Sequence, residues 1–231
     1  PDHKKMTTAY NINSIKIDFK GNIWMASRFG FEKYDVAKNQ FSMLPSIMNK
    51  KINEKFHQKI HNIADKRVPI AAILKVGEAS SLEKKFSLDH DQKVIVICVG
   101  EGAMSQGNYG IWDSGSILSE SGDLIWSMND ILRTYNDGGG FKNRIAIKCL
   151  ELKSGVYKLA YATDVGHSYG TWNVDPPLDS VWYGIQVLKI NDSEYKEMEE
   201  LNETEINTAK FMPMEVGSCI DFSKKNNKIF W

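Results

Sequence analysis

Hydrophobic and polar residues change their period several times along the chain. Ile15, Ile17 and Phe19 alternate with Lys16 and Asp18, the period-two pattern of a strand with one buried face. Lys20-Gly21-Asn22 reads as a turn and Ile23-Trp24-Met25-Ala26 as the returning strand. Phe29-Gly30-Phe31 turns the chain again before Glu32-Lys33-Tyr34, and Asp35 to Asn39 turn it toward Gln40-Phe41. From Ser46 to Arg67 the period lengthens. Met48, Ile52, Phe56, Ile60 and Ile63-Ala64 recur three or four apart among Lys, Asn, Glu and Gln. That spacing predicts an amphipathic helix, with Pro45 before it and Pro69 after it. Ile70 to Val76 leads onward, and strand patterns follow at 82–88, 93–99, 110–117, 123–128, 144–152, 156–163 and 182–190. Short strands with turn signals between them, behind one helix, predict an antiparallel β-sandwich of jelly-roll type. Residues 192–213 are largely polar and read as a linker or a surface helix.

The stretch from Gly155 to Ile190 organises this region. Tyr157, Leu159 and Tyr161 alternate with Lys158, Ala160 and Ala162, and a second strand pattern closes the stretch. Between them lies a long polar loop that carries His167, Tyr169 and Trp172, so it is either a binding loop or a lid over a core edge. The candidate ligand-binding set is Trp112, Asp113, Arg144, Asp164, His167, Trp172 and Asn173. Aromatic faces stack on sugar rings, and short polar side chains read hydroxyls. The competing reading makes these aromatics plugs of the sandwich edge, with Arg144 ion-paired to Asp113 or Asp164.

Other groupings are weaker as chemistry. His57 and His61 stand four apart on the predicted helix, the spacing that binds zinc from one helical face. Gln58 occupies the place of a metalloprotease general base, and Lys55 and Lys59 add positive charge, so solvated helix-face histidines are expected and no metal is assigned. Asp164, His167 and Ser168 crowd one short loop, where orienter, base and nucleophile rarely line up; no catalytic residue is assigned. Gly138-Gly139-Gly140 precedes a strand pattern, whereas a phosphate cradle leads into a helix, so a flexible turn is expected. Asp175-Pro176-Pro177 is a stiff extended corner.

Composition narrows the classes. Lys+Arg and Asp+Glu are both 29, so net charge is zero and no nucleic-acid partner is expected. With 42% hydrophobic and 25% charged residues the chain builds a buried core. Apolar runs such as Val94–Val99 are too short to span a bilayer, so no direct membrane insertion is expected. Cys98, Cys149 and Cys219 are odd in number and dispersed, which fits free buried thiols; no cofactor is implied. The chain begins with Pro1 and stops at Trp231 inside an apolar run, as a piece of a longer protein does.

Four short strands within about 30 residues have the rhythm of a propeller blade. The string Gly21–Phe41 resembles the two-component regulator propeller repeat. Gly21, Asn22, Ile23, Trp24, Gly30, Tyr34, Asp35 and Phe41 match its pattern. Ala26-Ser27 and Phe31 depart from the usual Gly-Thr and Leu. Ser218 to Trp231 echoes Ser14 to Trp24 through an Ile-Asp-Phe strand, an Asn-containing turn and a returning Trp. The resemblance implies the extracytoplasmic sensor half of a bacterial signalling receptor. Residues 78–190 are similar to a second family, a secreted or periplasmic bacterial β-sandwich of no established activity, through FSLDHDQKVIVICVGEG, GGGFKNR, SGVYKLAYATDVGHSYGTWNVDPP and WYGI.

Together these readings predict a mainly β protein. Residues 1–44 are expected to form a partial blade, 45–77 a helix and linker, 78–191 the sandwich, and 214–231 the start of a second blade-like hairpin. The expected role is non-catalytic, in sensing or scaffolding within a periplasmic or extracellular region of the parent receptor. The ligand would be a small molecule or glycan, and open strand edges would allow self-association. The alternative is a carbohydrate-binding accessory module.

Overall fold

The run Val94-Ile95-Val96-Ile97-Cys98-Val99 contains no polar position, and in the computed structural model each of these side chains is at most 1% exposed. A strand of this kind needs cover on both faces, and the architecture around it supplies two covers. The structure describes residues 12–17, 21–27, 30–37, 40–45, 51–52, 54–105 and 108–208. The chain divides into two compact units, residues 1–50 with 106–108 and 211–231, and residues 51–105 with 109–210.

In the first unit, β1 (Ile12–Ile17), β2 (Ile23–Ser27), β3 (Gly30–Asp35) and β4 (Gln40–Pro45) form an antiparallel sheet in sequence order. Lys16 faces Trp24, Ile23 faces Tyr34, and Tyr34 faces Phe41. Gly21 takes φ +80°, the left-handed conformation that the turn after β1 needs. Asn22 and Met25 are buried, whereas Ile15 and Ile17 on the edge strand are 56% and 66% exposed. The expected C-terminal hairpin at 214–231, and Cys219 with it, lie outside the described residues.

The second unit opens with α1 (Glu54–Ala64), followed by β5 (Ala71–Leu74), β6 (Ser81–Leu88), β7 (Gln92–Ser105), β8 (Asn108–Ser119) and β9 (Leu124–Ser127). After a 3-10 turn at Ile131–Arg133 come β10 (Tyr135–Asn136), β11 (Asn143–Leu152), β12 (Gly155–Ala162), and the short pair β13 (His167–Ser168) and β14 (Thr171–Trp172). A second 3-10 turn, Ser180–Trp182, leads into β15 (Gly184–Lys189) and α2 (Asp192–Thr208). The strands run in the order β10-β11-β7-β8-β12-β6, with β15 between β7 and β5, and β9 beside β8. The long β7–β8 hairpin therefore belongs to two layers. One is β10-β11-β7-β15-β5 and the other β9-β8-β12-β6, an antiparallel sandwich verging on a closed barrel.

Alternation along β7 sorts its side chains. Val94, Val96 and Cys98 point between the layers, where they meet Ile73, Phe86, Ile117, Leu159, Tyr161 and Val187. Ile95, Ile97 and Val99 point outward into a second core, roofed by Phe56, Ile60 and Ile63 of α1 and Met198 of α2. The helix-period residues of α1 thus cap the outer face of the first layer, and β5 is one of its strands. Residues 54–77 are part of the sheet domain rather than a linker ahead of it. Trp182 falls in the 3-10 turn instead of opening a strand. The strand begins only at Gly184, whose φ of +136° brings its Cα against the Ile73 carbonyl; a Cβ there would stand 2.0 Å from that oxygen.

The polar tail segment is a surface helix, and its start is legible in its capping. Asn191 Oδ1 accepts the Glu194 N–H at 2.9 Å, and Glu194 Oε2 accepts the Asn191 N–H at 3.0 Å, a reciprocal capping box. Arg67 holds the same glutamate with two donors, at 2.9 and 2.5 Å. Cys98 and Cys149 are free and buried, as expected of them, and burial pushes the Cys149 thiol up to about 12.

Phe56 is fully buried and is the deepest anchor of α1. Phe56→Ala is expected to lower the unfolding free energy by about 3–5 kcal/mol, the range for an aromatic deleted from a core. Urea melts of the two proteins check this. A loss below about 1 kcal/mol would mean that α1 is only loosely docked.

Candidate functional site

Glycine packing fixes the end of the sandwich that carries the polar loop. Gly139 has φ +59°, and a Cβ on it would lie 2.0 Å from the Pro176 carbonyl oxygen. A Cβ on Gly138 would stand 2.5 Å from the Leu178 side chain, and one on Gly140 2.3 Å from that of Val174. The Gly140 N–H and the Asn143 side-chain amide both donate to the Asp175 carbonyl, each at 2.9 Å. The three glycines are therefore the floor on which Asp175-Pro176-Pro177 lies, and not a flexible turn. At Gly139 glycine is required because backbone meets backbone.

Inside this end sits a buried polar node. Tyr183 Oη donates to Asp113 Oδ2 at 2.5 Å and lies 2.7 Å from the His167 carbonyl oxygen. Asp113 Oδ1 accepts the Asp164 N–H at 2.8 Å. His167 Nε2–H donates to Asn143 Oδ1 at 2.6 Å, because the Asn143 amide nitrogen is committed to the Gly138 and Asp175 carbonyls. His167 Nδ1 faces Asn173 at 3.2 Å. Trp172 packs edge-on against His167 and Tyr183, with ring centroids 5.0 Å away in each case. Burial pushes the Asp113 carboxyl up to about 6 and holds the His167 imidazole down at about 4.

Of the candidate residues, Asp113, Asp164, His167, Trp172 and Asn173 converge on this node. Arg144 lies apart from it. Its Nε donates to Thr134 Oγ1 at 2.9 Å, one of its terminal nitrogens donates to the Thr134 carbonyl at 3.1 Å, and the charge that supports it is that of Asp137. In place of the expected Asp113 or Asp164, Arg144 is held by Thr134 and lies in the field of Asp137, the residues on either side of β10, because β10 and not the polar loop lies alongside it on β11. Burial lowers the guanidinium to about 9. Trp112 points away from Asp113, on the opposite side of β8, and is half-buried. Asp113, Arg144 and His167 are fully buried, so a ligand approaching from solvent touches none of them.

A third arrangement lies at the rim. His57 Nε2 is 2.7 Å from Asp179 Oδ2, and His61 Nε2 is 2.9 Å from Asp179 Oδ1. The two imidazoles stack edge-on at 4.6 Å, and the His61 ring lies 4.4 Å from that of Trp182. They are partly covered and share a carboxylate, which corrects the expectation of solvated histidines. Asp179 itself is buried, and its N–H donates to Asp137 Oδ2 at 3.2 Å. The Asp137 carboxyl is pushed well above the usual range, first by burial and then by the Asp179 charge, and its Oδ1 has no hydrogen-bond partner. Among the described residues, two groups could hold a metal, His57 with His61 and Asp179, and Glu101 with Asp113 and Asp164. In the second group Lys142 already pairs with Glu101, while Tyr183 and the Asp164 amide occupy Asp113.

A shallow hollow of about 590 Å³ near Lys93, Glu151 and Asp192 is lined mostly by charged and polar groups. Lys93 pairs there with Glu151 at 3.5 Å and with Asp192 at 3.2 Å.

Sequence reasoning did not include Asn143, Tyr183, Asp137 or Asp179 in the site. Only the last has a local cue, its place directly after the stiff Pro176-Pro177-Leu178 corner. No protein-family model matches the sequence, and no curated protein matches it significantly.

The raised Asp113 carboxyl gives a pH signature. The unfolded carboxyl titrates near 3.8 and the folded one at about 6, so the contribution of Asp113 to stability is complete below the first value and is lost as pH rises through the second. His167 works oppositely; its contribution is present above 6.5 and is lost as pH falls through about 4. Asp113→Asn keeps an acceptor for the Asp164 amide. The stability gap between wild type and this variant is expected to shift in favour of the variant between about pH 4 and pH 6, measured by thermal melts across that window. A gap that does not change with pH would show that Asp113 titrates normally.

Proposed function

We propose that the chain is a non-catalytic sensor or interaction region of an extracytoplasmic bacterial signalling receptor, made of a blade-like unit and a helix-covered sandwich. The observation that carries the reading is that the repeat-like string Gly21–Phe41 runs through consecutive strands of a four-stranded antiparallel meander, the unit from which propellers are built. The exposure of Ile15 and Ile17 on the edge strand supports a sheet made to seat against a neighbour. The commitment of the Asp113, His167 and Tyr183 polar atoms to partners inside the protein supports a role without bond-breaking chemistry.

The reading frame around this chain tests the proposal. Further Gly-Asn-Ile-Trp repeats on one side, with a membrane span and a signalling domain on the other, are the expected finding. A frame that holds neither would overturn it.

The second reading, a carbohydrate-binding module, rests on the partial exposure of Trp172 and Trp112. Trp172 lies against Tyr183, Tyr169 and His167, which favours a clasp over a platform. Trp172→Ala is expected to cost roughly 1–3 kcal/mol of stability and to leave binding to glycan arrays unchanged. Glycan binding by the wild type that vanishes in a folded Trp172→Ala protein would reverse that preference.

A further inference from the structure

We propose that His57, His61 and Asp179 form a binding site for one transition-metal dication, with Zn²⁺ the best match. The inference stands on the second unit alone and is independent of the signalling reading. Two imidazole nitrogens and a carboxylate are a zinc donor set, and this mixture of ligands disfavours the all-oxygen preference of Mg²⁺ and Ca²⁺. Their ligand atoms lie within 4.8 Å of one another. The Nε2–carboxylate distances are 2.7 and 2.9 Å, whereas zinc bonds near 2.1 Å at tetrahedral angles set neighbouring donors about 3.4 Å apart. A small opening of the existing contacts makes the site.

The surroundings hold the ligands as a metal requires. Asp65 Oδ2 lies 3.1 Å from His61 Nδ1. A carboxylate only accepts, so Asp65 favours the tautomer with the proton on Nδ1, the one that ligates a metal through Nε2. Trp182 stacks on the His61 ring and sets its plane. Asp179 is fixed from behind by the buried Asp137. Lys59, two positions from each histidine, is drawn away to Glu197 at 2.6 Å. The imidazole side chains are 23% and 29% exposed, so the site opens to solvent on one side and leaves room for a water as fourth ligand. Gln58 in the place of a general base fits a structural or regulatory ion rather than a hydrolytic one.

The test is calorimetric titration of ZnCl₂ into the chelator-stripped protein near neutral pH, with histidine proton NMR as a second readout. One Zn²⁺ per chain is expected, with the ring resonances of His57 and His61 shifting and that of His167 unmoved. His57→Gln/His61→Gln is expected to abolish this binding. Asp65→Asn, at an exposed side chain that leaves the fold intact, is expected to weaken it roughly tenfold. Failure of the wild type to take up zinc, or zinc uptake that leaves the His57 and His61 resonances in place, would overturn the proposal. An affinity unchanged in Asp65→Asn or in the double variant would overturn it equally.

Discussion

The constraint on which the sheet domain depends is the burial of β7 on both faces. A strand with Val94, Val96 and Cys98 on one side and Ile95, Ile97 and Val99 on the other cannot lie at a water-facing surface. The second layer satisfies the first set and the two helices satisfy the second. α1 is thus bound to the sheet by the apolar cost of leaving it. Its two histidines come with it, because they flank Phe56 and Ile60 on the same helix.

The polar groups follow from the same packing. Once the layers close, the chain end near Tyr183 and His167 is dry, and each buried donor there needs an acceptor. Tyr183, Asp113, His167 and Asn143 answer this by bonding one another and the loop backbone. At the rim the balance differs. Asp137 and Asp179 put two carboxyls side by side with one oxygen left without a donor, and the imidazoles of α1 stand in front of them. The interior is self-sufficient, whereas the rim sets two neighbouring carboxyls beside a pair of imidazoles.

Much of the fold was legible because strand alternation records directly which face is covered. Tyr157, Leu159 and Tyr161 mark β12 in this way, and the unbroken run at Val94–Val99 marks a strand covered twice. What covers the second face was not legible, since a helix stripe does not state which surface it meets. The site was harder still. His57 and His61 show their spacing, but Asp179 lies 118 residues beyond His61 and only the closed sandwich brings it there. Arg144 announced a partner without naming it, and the groups that meet it, Thr134 and Asp137, flank β10. The glycine triplet misled in the opposite sense. Glycines suggest freedom, yet here their lack of a side chain admits the Pro176 backbone and makes the corner rigid.

The central position of β7 also governs how the chain reaches its final form. Its partners are residues 143–152 on one edge and 184–189 on the other, and β5 at 71–74 waits for that same last strand. Pairings so distant along the chain carry a large loop-closure cost before any reward arrives, which makes assembly slow relative to local helix formation. During synthesis the most apolar strand among the described residues therefore emerges roughly ninety residues before β15, one of its neighbours. For that interval it is an open sheet edge, the stage at which this chain is most exposed to pairing with the wrong strand.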